Sequence, residues 1–151
     1  MNVGAALEAM PGYDATLETT STVLGPTQRV EFHSGARQER PEVTAYFGEA
    51  EGLFCVVPDA CRGPLVHLDG LQLNGRDPSQ WEDEFVEYVA SRGVGLYYSP
   101  AGYAGSDDFG LVMQVQPDAD ALITRPVLIV VRERACTLWD SMPHEEITLY
   151  R

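Results

Sequence analysis

The feature that most constrains the fold is a succession of short runs rich in Thr, Val, Tyr and Phe, separated by clusters of Gly, Pro and Asp. Such runs, bounded by turn residues, are typical of β-strands. Short neighbouring strands joined by turns pair antiparallel. The sequence therefore predicts an antiparallel sheet with strands at residues 16–24, 29–33, 43–47, 53–57, 65–73, 94–99, 109–116, 127–132 and 145–150, and 136–139 as a further candidate.

Two segments with helical periodicity interrupt the strands. Residues 2–10 carry apolar side chains at helical spacing and end at a Pro-Gly pair. In the second helix, Asp77 is suited to the N-cap and Pro78 to the first helical position. Gln80 completes a capping-box spacing, and Gly93 supplies the left-handed stop. Four residues form an apolar stripe that is expected to face the sheet: Trp81, Phe85, Tyr88 and Val89.

The order of elements, a helix and then about four strands, occurs twice. The chain of 151 residues has the size of one domain. Its halves, residues 1–75 and 76–151, are both acidic, with four arginines against ten carboxylates in the first and six against thirteen in the second. We predict one α+β domain in which one or two helices cover one face of the sheet, with an internal duplication as an alternative.

The net charge limits the classes of partner. Twenty-three acidic residues stand against ten cationic ones, all of them Arg, which gives a net charge of −13. Nucleic acids and anionic lipid surfaces repel such a chain, so we expect neither to be a partner. The absence of Lys excludes a P-loop and a Schiff-base enzyme. A basic protein partner remains, and so does an acidic surface that only maintains solubility.

The sequence predicts a cytoplasmic protein. The first basic residue is Arg29, so the N-terminus lacks the positive region of a secretory signal. The longest strongly apolar run, residues 127–131, is far too short to span a bilayer. The three cysteines form an odd count, which favours reduced thiols. We expect Cys55 in the core and Cys61 at a turn.

No motif for catalysis, metal binding or cofactor binding is evident, so we predict no cofactor and lean against an enzyme. Cys55, Cys61 and His67 are each separated by five residues, whereas zinc ligands usually come in shorter knuckles. The remaining histidines, His33 and His144, are scattered, and no Ser lies in a nucleophile motif. We therefore assign no catalytic residue and no metal ligand.

The stretch of residues 99–108 is the leading candidate for a binding loop. Tyr98 enters it, Tyr103 lies at its middle, and Asp107 and Asp108 lie at its exit. Tyr beside carboxylates is the composition of a protein-binding hot spot that recognises Arg or Lys. The acidic face of the second helix is the other candidate surface, with Glu82, Asp83 and Glu87. The alternative for both surfaces is a solvated one without a partner.

A resemblance to known proteins lies in the central part of the chain. The run at residues 65–75, the acidic helix after it and the Phe-Gly-Leu at 109–111 resemble small uncharacterised bacterial proteins of helix-plus-sheet type. Some relatives of that type are immunity or inhibitor proteins. The resemblance implies a binding role and brings no catalytic motif.

The leading hypothesis is a non-enzymatic acidic protein that binds and neutralises a basic protein partner. An alternative is a small-ligand-binding or catalytic domain with a pocket between sheet and helix. Its polar lining would come from His67, Tyr98, Asp107 and His144. A third possibility is a homodimer that forms through the edges of the sheet.

Overall fold

A computed structural model describes residues 1–22, 25–35, 40–131 and 142–147. It confirms the α+β prediction: two helices accompany an eight-stranded antiparallel sheet and a separate two-stranded hairpin. Helix α1 spans Val3–Ala9 and α2 spans Pro78–Arg92. The strands are β1 Asp14–Thr22, β2 Gly25–His33, β3 Val43–Gly48, β4 Gly52–Pro58, β5 His67–Leu68, β6 Leu71–Gln72, β7 Tyr97–Tyr98, β8 Ala104–Ser106, β9 Leu111–Asp118 and β10 Ala121–Ile129.

The large sheet consists of two four-stranded meanders that meet at their last strands. Its order is β1-β2-β3-β4-β10-β9-β8-β7, and β4 pairs antiparallel with β10. Leu128 lies opposite Val56, and Ile129 lies opposite Cys55. Each half of the chain thus contributes one helix and four strands of this sheet. A sequence relationship between residues 1–75 and 76–151 stays a prediction.

Both helices lie on the same face of the sheet. Residues that lie opposite each other in paired strands point to the same side. Ala45 packs with α1, it lies opposite Val56, and Val56 lies opposite Leu128. Leu128 packs against the cluster formed by α2. The helices therefore cover adjacent halves of one face, as the sequence predicted.

The other face of the sheet carries no α-helix among the described residues. Its apolar centre includes Cys55, Val57, Val127 and Ile129, all buried. Residues 142–147, here called the C-terminal segment, contribute buried Met142 and half-buried Ile147 to this centre.

The start of the predicted strand at 145–150 is wrong, because His144–Glu146 form a 3-10 turn. The rest of that prediction and the candidate strand at 136–139 lie outside the described residues, as does the end of the first predicted strand.

Helix α2 has the caps that the sequence predicts. The carboxylate of Asp77 accepts the backbone N–H of Gln80 at 2.9 Å, and Gly93 adopts φ 66° at the C-terminus. Trp81 and Phe85 are buried and stack with their ring centroids 4.6 Å apart. Neither this helix nor any other in the described part of the chain is long and apolar enough to cross a membrane.

The predicted strand at residues 65–73 is a small hairpin instead. Strands β5 and β6 pair with each other across Asp69 and Gly70. These two residues have φ 48° and 85°. Positive φ at both central positions is the geometry of a type I′ turn, for which Asp-Gly is a preferred sequence. The Asp-Gly pair was therefore the signal that the strand prediction overlooked.

Strand β10 begins six residues before the predicted strand at 127–132. Pro126 weakens any strand prediction, because Pro removes a backbone donor. In the structure the N–H of Val130 donates to the carbonyl of Phe54 in β4. Because residues alternate along a strand, the nitrogen of Pro126 points to the same edge of β10, the edge that faces β4. There β4 pairs with β10 only through Leu128 and Ile129. Pro126 thus lies beyond the ladder with β4.

Two glycines with the same dihedral angle test the packing at the start of β9. Gly93 and Gly110 both have φ 66°, but only at Gly110 would a Cβ meet an atom, the Ile129 carbonyl oxygen at 2.2 Å. Gly93→Ala should cost about 1–2 kcal/mol of unfolding free energy from left-handed strain. Gly110→Ala should cost about 3 kcal/mol or more, because strain and overlap combine. Urea unfolding measures both, and equal losses would contradict this packing.

Candidate functional site

The seven predicted partner-binding residues all lie on α2 or on the strands and turns beside it. Helix α2 packs over β8 and β10, and β7 forms the adjacent edge of the sheet. The outer surface of α2 and the β7 edge therefore form one side of the molecule. We call this side the α2–β7 flank. It contains Glu82, Asp83, Glu87, Leu96, Tyr98, Tyr103, Asp107 and Asp108.

Tyr98 is the most exposed aromatic side chain of the flank. Alternation along β7 places the two neighbouring tyrosines on opposite faces. Tyr97 packs against the helix-free face, whereas Tyr98 is 53% exposed on the helical face. Leu96, two residues before Tyr98, is 37% exposed. Leu96 precedes β7 and was not among the predicted binding residues.

The side chain of Tyr103 packs against the protein and does not extend freely into solvent. Its ring packs against the apolar cluster under α2, and its side chain is half-buried. Its carbonyl accepts the N–H of Ser99 at 2.9 Å, which closes the turn between β7 and β8. Tyr103 therefore supports the hairpin and offers a partner only part of its ring.

The predicted loop at 99–108 is wrong in its second half. Residues Ala104–Ser106 form β8 and are buried. This strand separates Tyr103 from Asp107 and Asp108 by about 13 Å or more of extended chain. The two aspartates are exposed, and Asp108 accepts the N–H of Gly95 at 2.8 Å. The carboxylates therefore lie at the C-terminal end of α2 instead of beside Tyr103.

The outer face of α2 carries carboxylates at one-turn spacing. Asp83 and Glu87 are exposed, and Glu82 is half-buried. Glu84 differs from them, because it forms an ion pair with Arg76 at 3.0 Å. No ion pair joins Asp83 or Glu87 to an arginine in the described part of the chain. Asp83 and Glu87 therefore present their carboxylates to solvent.

The described arginines are largely neutralised within the chain. Six of the ten arginines belong to the described residues. Five of them form ion pairs with carboxylates. The six pairs are Arg29 with Glu18 and with Glu31, Arg40 with Asp59, Arg76 with Glu84, Arg92 with Asp69, and Arg125 with Glu146.

Tyr97 lies half-buried on the helix-free face of β7, and its hydroxyl oxygen is buried. Its hydroxyl has no hydrogen-bond partner among the residues that the structure describes. Burial raises the pKa of this phenol well above its ordinary range, and the nearby Asp107 carboxylate adds to the increase. The hydroxyl therefore stays protonated at neutral pH and does not act as a base.

The four residues predicted to line a ligand pocket do not share one cavity. Tyr98 lies on the helical face, whereas His144 belongs to the C-terminal segment on the opposite face. A cavity of about 410 Å³ does lie between α1 and the sheet, but at the other end of the molecule. Glu49 is the one charged residue among those that line it.

The structure and the comparisons with known proteins add no chemical assignment. Among the described residues, no group of three or more His, Cys, Asp or Glu side chains is arranged to hold a metal ion. Comparisons of the chain with models of protein families, with curated proteins and with solved structures find no match. The resemblance to immunity-type proteins stays a prediction. A function must therefore be argued from the geometry of the flank.

Two substitutions of Asp108 separate its role as a hydrogen-bond acceptor from its role as a charge. Asp108→Ala removes the acceptor of the Gly95 N–H and should cost about 1 kcal/mol of unfolding free energy. Asp108→Asn keeps an acceptor oxygen and should cost less than half as much. Urea unfolding of both variants provides the measurement. A larger loss in the Asn variant would show that the charge, and not the hydrogen bond, holds this turn.

Proposed function

We propose that the chain is a non-enzymatic interaction protein that binds a basic protein and neutralises it by covering its functional surface. The α2–β7 flank is the proposed contact surface. One observation carries the proposal: exposed Leu96, just before β7, and exposed Tyr98, on this edge strand, lie beside a helix that presents Asp83 and Glu87 to solvent. A cytoplasmic location fits this role, because Cys61 is an exposed thiol outside any disulfide.

The apolar and charged residues of the flank would act at different stages of binding. Aromatic and aliphatic anchors supply affinity when a partner desolvates them, and they slow dissociation. Carboxylates around them raise the association rate with a cationic partner and select against acidic ones. Leu96 and Tyr98 would be the anchors, with Asp83, Glu87 and Asp107 steering the partner.

The proposed mode of action is that of an immunity or inhibitor protein. Steric occlusion is the mechanism that fits exposed Tyr98 and the exposed carboxylates of the flank. Carboxylates would pair with cationic groups that the target uses for its own function. The sheet keeps the flank rigid, because Trp81, Phe85 and Val89 anchor α2 on it.

The proposal predicts that substitutions of the carboxylates change the association rate, whereas substitutions of the apolar residues change the dissociation rate. The partner is first recovered by co-purification with the tagged chain from its native cells, and its binding kinetics are then measured. Neutralising Glu82, Asp83 and Glu87 together as Gln, Asn and Gln should lower the association rate about tenfold at low salt. Leu96→Ser with Tyr98→Ser should instead raise the dissociation rate at least tenfold.

A matched control changes the net charge equally on other surfaces. Glu8→Gln, Glu49→Gln and Asp120→Asn neutralise three exposed carboxylates away from the flank. The control should retain most of the association rate at every ionic strength. Equal losses in the two charge variants, or rates indifferent to salt, would refute binding through the flank.

The cavity beneath α1 favours a second candidate function, the binding of a small uncharged ligand. Its volume of about 410 Å³ falls within the range of ligand pockets. Asn2, Thr27 and Phe47 are among its lining residues. A ligand at 100 times its dissociation constant adds about 2.7 kcal/mol of stability. A thermal-shift screen of sugars, nucleosides and acyl compounds therefore tests this candidate.

A further inference from the structure

Strand β1 is a long and regular edge of the large sheet. Its nine residues pair with β2 in one register, from Asp14 opposite His33 to Thr22 opposite Gly25. No other strand of the described chain pairs with its outer side. Edge strands are commonly protected by Lys or Pro residues, a bulge or short length. Strand β1 contains neither Lys nor Pro, and its register is continuous, so its outer side is open to an added strand.

Three residues of β1 direct their backbone groups toward this open side. The carbonyl of Phe32 in β2 accepts the N–H of Glu42 at 2.9 Å, so Phe32 bonds away from β1. Ala15 lies opposite Phe32, and opposed residues of an antiparallel pair either both bond across it or both bond away from it. Alternation gives Leu17 and Thr19 the same direction as Ala15. The N–H and C=O groups of these three residues therefore face an added strand.

The side chains of β1 form two rows of different character. Leu17 lies opposite Val30 of the cluster beneath α1, so Leu17 and Ala15 lie on the helical face of the sheet. The Leu17 side chain is 51% exposed. The alternate residues lie on the helix-free face and include Asp14 and Glu18, both exposed. We call these two sets the apolar row and the acidic row.

The carboxylates of the acidic row outnumber the nearest cation. Arg29 forms ion pairs with both Glu18 and Glu31, so two carboxylates share one guanidinium. Glu145 adds a third carboxylate, because it accepts the hydroxyl of a threonine in the same row. Asp14, at the start of the row, is a fourth.

Two further arginines line a cavity with Glu145, but each has a carboxylate of its own. Arg40 pairs with buried Asp59, and Arg125 pairs with buried Glu146. The acidic row therefore keeps a net negative charge. Such a row attracts a cationic strand, and it repels a second copy of a chain whose net charge is −13.

We propose that β1 binds an extended segment of another protein by strand addition, and that this segment alternates cationic and apolar residues. Its backbone pairs with Ala15, Leu17 and Thr19. Its apolar residues lie beside Leu17, and its Lys or Arg residues lie beside Asp14 and Glu18. Strand β1 and the α2–β7 flank lie at opposite ends of the sheet, so this inference does not rest on the proposed function.

A pair of synthetic peptides tests the alternation. The probe is fluorescein-labelled Lys-Val-Lys-Val-Lys-Val-Lys, whose pattern is the same in both strand directions, and anisotropy measures its binding to the full chain. The control peptide Lys-Lys-Val-Val-Val-Lys-Lys has the same composition and charge. The alternating peptide should bind at least tenfold more tightly, because it alone presents Val to one row and Lys to the other. Equal affinities would overturn the proposal.

Two substitutions change the open side of β1 and spare its pairing with β2. Thr19→Pro removes an N–H that faces the open side, and Pro is tolerated on edge strands. Leu17→Lys places a cation in the apolar row. Each should weaken binding of the alternating peptide at least tenfold, with folding checked by urea unfolding. Leu65→Lys, at a leucine that is 64% exposed outside β1, is the matched control and should leave the affinity unchanged.

The contribution of the acidic row is tested separately. Asp14→Asn with Glu18→Gln should weaken binding of the alternating peptide at least fivefold at low salt. Glu8→Gln with Asp120→Asn makes the same change of net charge at exposed positions outside β1 and should retain most of the affinity. Equal losses in the two variants would show attraction by the overall charge and would contradict binding at β1.

Hydrogen exchange provides a readout that charge attraction alone would not change. The alternating peptide should slow exchange of the Ala15, Leu17 and Thr19 amides at least tenfold, and leave Thr16 and Glu18, which bond toward β2, unchanged. Unchanged exchange at all five amides would overturn the proposal. Protection of the first three that rises with chain concentration, without peptide, would assign the edge to a second copy and would overturn it as well.

Discussion

The pairing of β4 with β10 is the interaction on which the rest of the structure depends. It joins two meanders through only two opposed residue pairs, with the Val130 N–H donating to Phe54 just beyond them. So short a ladder needs support from side chains on both faces. Leu128 and Val56 contact the clusters beneath the helices, while Cys55 and Ile129 belong to the opposite cluster.

This central pairing also divides the molecule into two surfaces of different character. Because both helices lie on one face, the carboxylates of α2 and the exposed residues of β7 share one side. The opposite face carries Arg29, Arg40 and Arg125 beside Glu31, Glu145 and Glu146, and the C-terminal segment packs on its apolar centre.

Local features were predictable from sequence, and long-range pairings were not. Asp77 and Gly93 mark the ends of α2 because capping depends on residues within one turn. The hairpin at Asp69 was equally local, but its turn signal was not used. The ion pair of Arg125 with Glu146 joins residues that are brought together only by the sheet and the C-terminal segment. No pattern of residue spacing in the sequence therefore predicts it. The exposure of Leu96 likewise depends on where α2 ends over the sheet.

The central claim is that a basic partner docks on the α2–β7 flank. Hydrogen exchange of the chain, alone and with the recovered partner, tests it most directly, because protection maps contact onto individual segments. The account predicts slower exchange at residues 94–98 and along the outer turns of α2, with β1 to β3 unchanged. Protection confined to β1 or to the C-terminal segment, with none at residues 94–98, would contradict it.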